Sequence, residues 1–146
     1  MAAKFGTSGL RGLVGELTDG TAAAHALAFA RHLKHNGMAV GGAQVFLGRD
    51  MRASSPGIAA QCAAAIEAEA LIPVDCGVVP TPALALYAMD RQAAALMITG
   101  SHIPDDRNGV KFYRPDGEID KGDEEAIAAL ALSCTGQSAA SGAAMQ

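Results

Sequence analysis

The chain has 146 residues, half of them hydrophobic and 18% charged, with a formal net charge of −4. That length is one domain with a proper hydrophobic core, and the composition excludes a disordered chain. The acidic balance argues against non-specific nucleic-acid binding, and no uncharged apolar stretch reaches the roughly 18 residues of a membrane span.

The N-terminal "MAAKFGTSGLRG" is glycine-rich, predicts little strand, and lacks the apolar core of an export signal. A helix is predicted over residues 22–34, capped by Thr18 or Asp19 and stopped at Asn36-Gly37. His25, His32 and His35 fall on that helix without a carboxylate in register, so a solvated face is expected rather than a metal pair. Residues 43–48, "AQVFLG", form a continuous apolar run ended by glycine, the pattern of a buried strand. Ser54 or Ser55 with Pro56 opens a second helix over 56–70, nearly all alanine and suited to close packing on a sheet.

"LIPVDCGVV" is a second strand, and Thr81-Pro82 begins a helix through Met89. "AAALMIT" and "GVKFY" are further strands, "RPDGEI" holds a turn, and residues 124–132 close the domain as a helix. The acidic "GDEE" run at 122–125 suits that helix's N-terminus better than a metal. Met38, Met89 and Met97 read as packing residues, and Asp105 and Asp106 as turn residues. Cys62, Cys76 and Cys134 match no zinc spacing and are expected to be reduced, buried thiols of a cytosolic protein. The domain is expected to span 1–134, with 135–146 a flexible tail or the start of a linker.

This alternation predicts a three-layer α/β/α domain with a mainly parallel, mixed central sheet. In such a sheet the loops after Gly48, Gly77 and Gly100 collect at the carboxyl ends of the strands, where ligands bind. The third loop, "TGSHIP", offers Ser101 beside His102, and Lys111 returns towards it on the next strand. A lysine near a serine suits phosphate better than acyl transfer, and Arg11, Arg49 and Arg52 would add positive charge. The residues alone leave two readings open: an anion site, or a polar loop that merely caps a strand. Neither a hydrolase Gly-x-Ser-x-Gly elbow nor a phosphate-binding Gly-x-x-x-x-Gly-Lys loop is present.

Five blocks, "KFGTSGLRG", "GRDMRASSP", "GVVPTP", "TGSHIP" and "NGVKFYRPDG", occur in the order and approximate spacing of one family's motifs. Over roughly residues 4–133 the chain resembles the first domain of the α-D-phosphohexomutases, most closely bacterial phosphomannomutase/phosphoglucomutase enzymes. The resemblance implies that Ser101 carries a phosphoryl group exchanged with a hexose 1- or 6-phosphate through a bisphosphorylated sugar. It implies that Arg11, His102 and Lys111 surround that group, and that Thr7, Ser8, Gly9, Arg49 and Gly100 shape the phosphate and substrate loops. Arg49 and Asp50 could equally hold the loops together.

The family's Mg2+ would touch this chain only through the phosphate on Ser101, its aspartate-rich loop being absent here. The isolated chain is therefore expected to be inactive without the remaining mutase domains or a partner chain, with hexose 1,6-bisphosphate the activator of the whole enzyme. A stand-alone, non-catalytic module binding sugar phosphates is the alternative. Self-association through uncovered edges is expected, with no nucleic acid or membrane as partner. The family's usual loop reads Thr-Ala-Ser-His-Asn-Pro. Gly100 replaces the alanine, expected to be a mild change, and Ile103 replaces the asparagine, removing a polar group beside the serine.

Overall fold

The computed structural model describes residues 4–6, 9–100 and 103–145. In chain order the elements are β1 (Lys4–Gly6), β2 (Gly9–Leu13), α1 (Val14–Thr18), α2 (Thr21–His35), β3 (Gln44–Arg49), α3 (Ser55–Ala68) and β4 (Ile72–Val78). They continue with α4 (Thr81–Asp90), β5 (Ala94–Ile98), β6 (Arg107–Arg114), β7 (Gly117–Glu118) and α5 (Lys121–Met145). The sheet runs β1-β2-β6-β5-β3-β4, with the two-residue β7 beside β6.

The period-2 alternation of the central strands builds a core on each side of the sheet. Val45, Leu47, Leu96, Ile98, Val110 and Phe112 face one way, into a cluster completed by Leu10, Phe29, Leu33, Ile58 and Ile66. Phe46, Ala95, Met97 and Tyr113 face the other way, against Leu84 and Ala88 of α4. Phe29 and Phe112 are fully buried with ring centroids 5.0 Å apart, a contact whose two rings contribute about 2–3 kcal/mol each by burial. In α3 the buried stripe is Ile58, Cys62 and Ile66, at i, i+4 and i+8, with the Cys62 thiol directed at the Ala22 carbonyl of α2. The larger side chains anchor that helix, and its alanines line the flanks.

The three-layer architecture is as expected, and the sheet is mixed. Parallel pairing is confined to β3 with β4 and β3 with β5. The pairs β1–β2, β2–β6, β5–β6 and β6–β7 are antiparallel. The N-terminal segment, expected to hold little strand, forms β1 and β2. Its glycine-rich sequence lacks the alternation of a free-standing strand, and it is held by the ladder to β6. Gly9 and Gly109 allow that close approach, since a Cβ at either would come within 2.8 Å of a carbonyl oxygen on the facing strand.

Helix starts also differ from expectation. Asp19 precedes the cap of α2, whose N-cap is Gly20 at φ 116°, and its Oδ1 accepts the Thr21 N–H at 3.0 Å. Ser54 and Ser55 do not cap α3 with their hydroxyls, which are turned to other partners described below. Helix α5 runs to Met145, well past Leu132.

The expected solvated histidine face is overturned. His32 is 7% exposed, and its Nε2 donates to Asp123 Oδ1 at 2.7 Å. His25 is half-buried against the ring of Phe5, and burial holds its pKa below the ordinary value although the Thr21 carbonyl favours the protonated ring. Only His35 is exposed as expected. Asp123, read as a helix-start charge, is the partner of that buried His32 and of Arg114. Cys62 is buried and Cys76 half-buried, both as free thiols. Among the described residues no helix is long and apolar enough to cross a membrane.

Candidate active site at the strand ends

The carboxyl ends of β3, β4 and β5 lie along one edge, and the loops that leave them carry residues 49–54, 78–80 and 99–104. Two of these loops are tied together by Asp50. Its Oδ2 accepts the Gly100 N–H at 2.9 Å, and its Oδ1 accepts the Arg52 N–H at 3.1 Å and the Ser55 hydroxyl at 2.5 Å. Burial alone would raise its pKa, but the hydrogen bonds from Ser55, Gly100 and Arg52 outweigh it and hold the carboxyl below its ordinary value. Asp50 is therefore an ionised anchor for the end of β5.

Asn108, fully buried at the start of β6, completes the knot. Its Nδ2 donates to the hydroxyls of Ser54 at 2.8 Å and Ser55 at 3.0 Å, and its Oδ1 accepts the Gly109 N–H. Sequence reasoning missed this residue; the signal was a lone amide between a turn and an apolar strand.

The arginines expected to add charge to an anion divide into two groups. Arg49 pairs with Asp75 at 3.1 Å and bears on β4 instead of joining Asp50 as a pair. Arg52 is turned onto backbone: its guanidinium donates to the carbonyls of Ile103, Pro104 (2.7 Å) and Arg107 (3.2 Å), and its Nε lies 3.4 Å from Asp50.

Arg11 and Lys111 form the other group. In the β2–β6 ladder Leu10 pairs with Val110 and both enter the larger core. Alternation then puts Arg11, opposite Gly109, and Lys111, opposite Gly9, on the reverse face. The glycines leave room for them, since a Cβ on Gly109 or Gly9 would come within 3.4 Å of the Cγ of Arg11 or Lys111. Diagonal neighbours in such a ladder lie about 7–8 Å apart. Neither cation pairs with a carboxylate among the described residues. Two positive charges side by side on one sheet face, without a carboxylate partner among the described residues, are suited to a multiply charged anion.

Thr7, Ser8, Ser101 and His102 lie outside the described residues. Gly9 is a strand residue of β2, not a loop residue. Gly100 and Ile103 flank the undescribed pair, and both are fixed: Gly100 by Asp50, and Ile103 through its N–H to the Gly100 carbonyl at 2.9 Å. Asp105 and Asp106 form the expected turn, and the Asp106 carbonyl accepts the Val14 N–H. At Gly100 the Arg52 guanidinium occupies the place of a side chain: a Cβ there would lie 2.1 Å from Arg52 Nε and 2.2 Å from its Cζ. No group of three or more His, Cys, Asp or Glu side chains converges to hold a metal among the described residues. The donor set for Mg2+ is thus not supplied by those residues.

A mixed α/β domain that presents a clamped strand-end loop beside two neighbouring cations has the chemistry to hold an anion. The comparisons give it a family. The family described as phosphoglucomutase/phosphomannomutase, alpha/beta/alpha domain I, matches residues 2–136, and the chain belongs to it. A phosphomannomutase of Sinorhizobium fredii is 60% identical over 131 residues, which is 90% of this chain and 28% of that protein. A phosphomannomutase of Salmonella muenchen is 47% identical over 123 residues, 84% of this chain and 25% of that protein. A solved chain from Thermus thermophilus, assigned as a phosphomannomutase, superposes with a TM-score of 0.78 at 33% identity, over 90% of this chain and 30% of its own. The chain therefore spans little more than a quarter of the length of the curated relatives it matches.

Proposed function

We propose that this chain is the phosphoserine domain of a phosphohexomutase that interconverts hexose 1-phosphate and hexose 6-phosphate, with mannose and glucose phosphates as substrates. Ser101 carries the phosphoryl group. A hydroxyl oxygen of the bound sugar phosphate attacks phosphorus, the bond to the Ser101 oxygen breaks, and the hydroxyl proton passes to a nearby base, with His102 and Lys111 the candidates. The bisphosphorylated sugar turns over and returns its other phosphoryl group to Ser101. Arg11 and Lys111 lower the barrier by neutralising charge on the transferring group, which is most of what a protein contributes to phosphoryl transfer. Mg2+ and the sugar contacts come from domains beyond 134 or from a partner chain, and residues 135–146 lead towards them. The reaction is cytoplasmic, and hexose 1,6-bisphosphate primes the serine.

The observation that supports this reading most is that Arg11 and Lys111, neither with a carboxylate partner among the described residues, stand on strands that border a loop fixed at both of its described ends. The test joins residues 1–136 to the part of the S. fredii phosphomannomutase beyond its matched segment. Turnover of mannose 1-phosphate, with a phosphoryl adduct on the peptide containing Ser101, is expected. Ser101→Ala should abolish both, and turnover that survives the substitution refutes the assignment.

A further inference from the structure

Arg52 is 14% exposed in its side chain; besides its ion pairs with Asp50 at 3.4 Å and Asp105 at 3.6 Å, it binds the backbone that follows the site serine. Its two terminal nitrogens reach the carbonyls of Ile103, Pro104 and Arg107, three acceptors within one five-residue stretch. A planar guanidinium is the side chain able to span divergent acceptors in this way. Its other side lies against the backbone of Gly100. The place a Cβ would take there is already filled, with Nε at 2.1 Å, Cζ at 2.2 Å and Nη2 at 2.6 Å.

The end of a long side chain usually swings away from such an intrusion. Here the end is held by those carbonyls and by Asp50, so swinging away means releasing the loop. Gly100 has no positive φ that would demand glycine for conformational reasons. The requirement is for space.

We propose that Arg52 is the positioning residue of the loop that carries Ser101, and that position 100 is glycine because the guanidinium occupies the place of its side chain. The proposal rests on Ser101 being the phosphoryl carrier and adds the device that sets it. Asp50 fixes the backbone before the serine, and Arg52 fixes the backbone after it. A serine that must present phosphorus in line to a sugar hydroxyl gains from both, since an ångström of misplacement costs on the order of a hundredfold in rate. The two residues form one unit: an alanine at 100 requires a different seat for the arginine.

The geometry is tested on the 146-residue chain itself by amide exchange in Arg52→Ala, Arg52→Lys, Gly100→Ala and the Arg52→Ala/Gly100→Ala double variant. In the parent, the Ile103 N–H bonds Gly100 and the Arg107 N–H bonds Pro104, both within the held stretch. Each single variant should speed exchange at Ile103 and Arg107 by about tenfold while the amides of β5 keep their rates. Lysine, with a single point of attachment, should not restore them. The double variant should exchange no more than about twofold faster than Arg52→Ala, because the alanine then has nothing to displace. Parent-like exchange in Gly100→Ala, or a full additional effect on top of Arg52→Ala, overturns the proposal.

The consequence for turnover is read in the fusion described above. Arg52→Ala should lower kcat on the order of tenfold or more and leave KM within about twofold. An unchanged kcat in Arg52→Ala, with Ser101→Ala still inactive, overturns the positioning role and leaves the phosphoserine reading standing. Turnover that survives Ser101→Ala removes that reading instead, and with it the role assigned to Arg52.

Discussion

Replacing Asp123 by asparagine tests whether the junction of α2, β6 and α5 is held by charge. Asp123 is 5% exposed; its Oδ1 accepts from His32 at 2.7 Å, and its Oδ2 accepts from Arg114 at 3.0 Å and from the Asp120 N–H at 2.9 Å. Asn36 Nδ2 approaches the other ring nitrogen of His32 at 3.2 Å, which assigns the ring proton to Nε2, facing Asp123. Burial alone would raise the Asp123 pKa. The bonds from the Asp120 backbone, His32 and Arg114 outweigh it and draw the carboxyl down from 3.8 to about 2.

A pKa lowered by folding stabilises the fold above the unfolded value and ceases to do so as pH falls through the folded one. The contribution here is about 2–3 kcal/mol, present in full above about pH 5 and gone near pH 2. That is a large part of the ordinary 5–15 kcal/mol of a domain. Urea unfolding of parent and Asp123→Asn should therefore differ by about 2 kcal/mol at pH 7, with the gap closing as pH is lowered towards 3. A gap below about 0.5 kcal/mol at pH 7, or one that stays constant on acidification, refutes an electrostatic origin.

The remaining predictions concern the core, the loop anchor and the thiols. Gly48→Ala would press a Cβ to 2.6 Å from Val79 and 3.1 Å from Leu84, and calorimetry should show a loss of about 1–3 kcal/mol. Asp50→Ala removes the acceptor for Gly100, Arg52 and Ser55; turnover in the fusion should fall on the order of tenfold or more, and a parent-like rate would show that the knot does not serve the reaction. Burial pushes the Cys62 thiol up to about 12, so in a Cys134→Ser background a thiol reagent should label half-buried Cys76 first and Cys62 only on unfolding. Rapid labelling of Cys62 in the folded chain would contradict its burial.

The strands and helices between Thr21 and Asp90 were legible because each satisfies a local rule. Val45 to Leu47 are apolar on both faces, and prolines open α3 and α4. What was not legible is long-range. Strand β2 exists because β6 holds it, and "GLRG" carries no pattern that announces a partner so distant in the chain. Ser54 and Ser55 looked like caps because capping is their commonest local use, and only the fold brings Asn108 and Asp50 to their hydroxyls. His32 and Asp123 form a pair across the tertiary structure, invisible to helical spacing. At the site the cations were legible by residue type, but their separate roles were not. Arg11 and Lys111 stand on one face, whereas Arg49 and Arg52 are bound to the protein itself.

The place of β2 between β1 and β6 also fixes an order of assembly. Arg11 lies opposite Gly109, and β2 has no other strand neighbour besides the three-residue β1. The β1–β2 hairpin must wait for its ladder to β6 until most of the domain has been synthesised. The parallel β3–β4–β5 unit can gather before then from nearer contacts. The Arg11–Lys111 face is thus built by a late pairing, so a nascent chain stalled before β6 would hold only the β5-β3-β4 part of the sheet and would lack the face that carries Arg11 and Lys111.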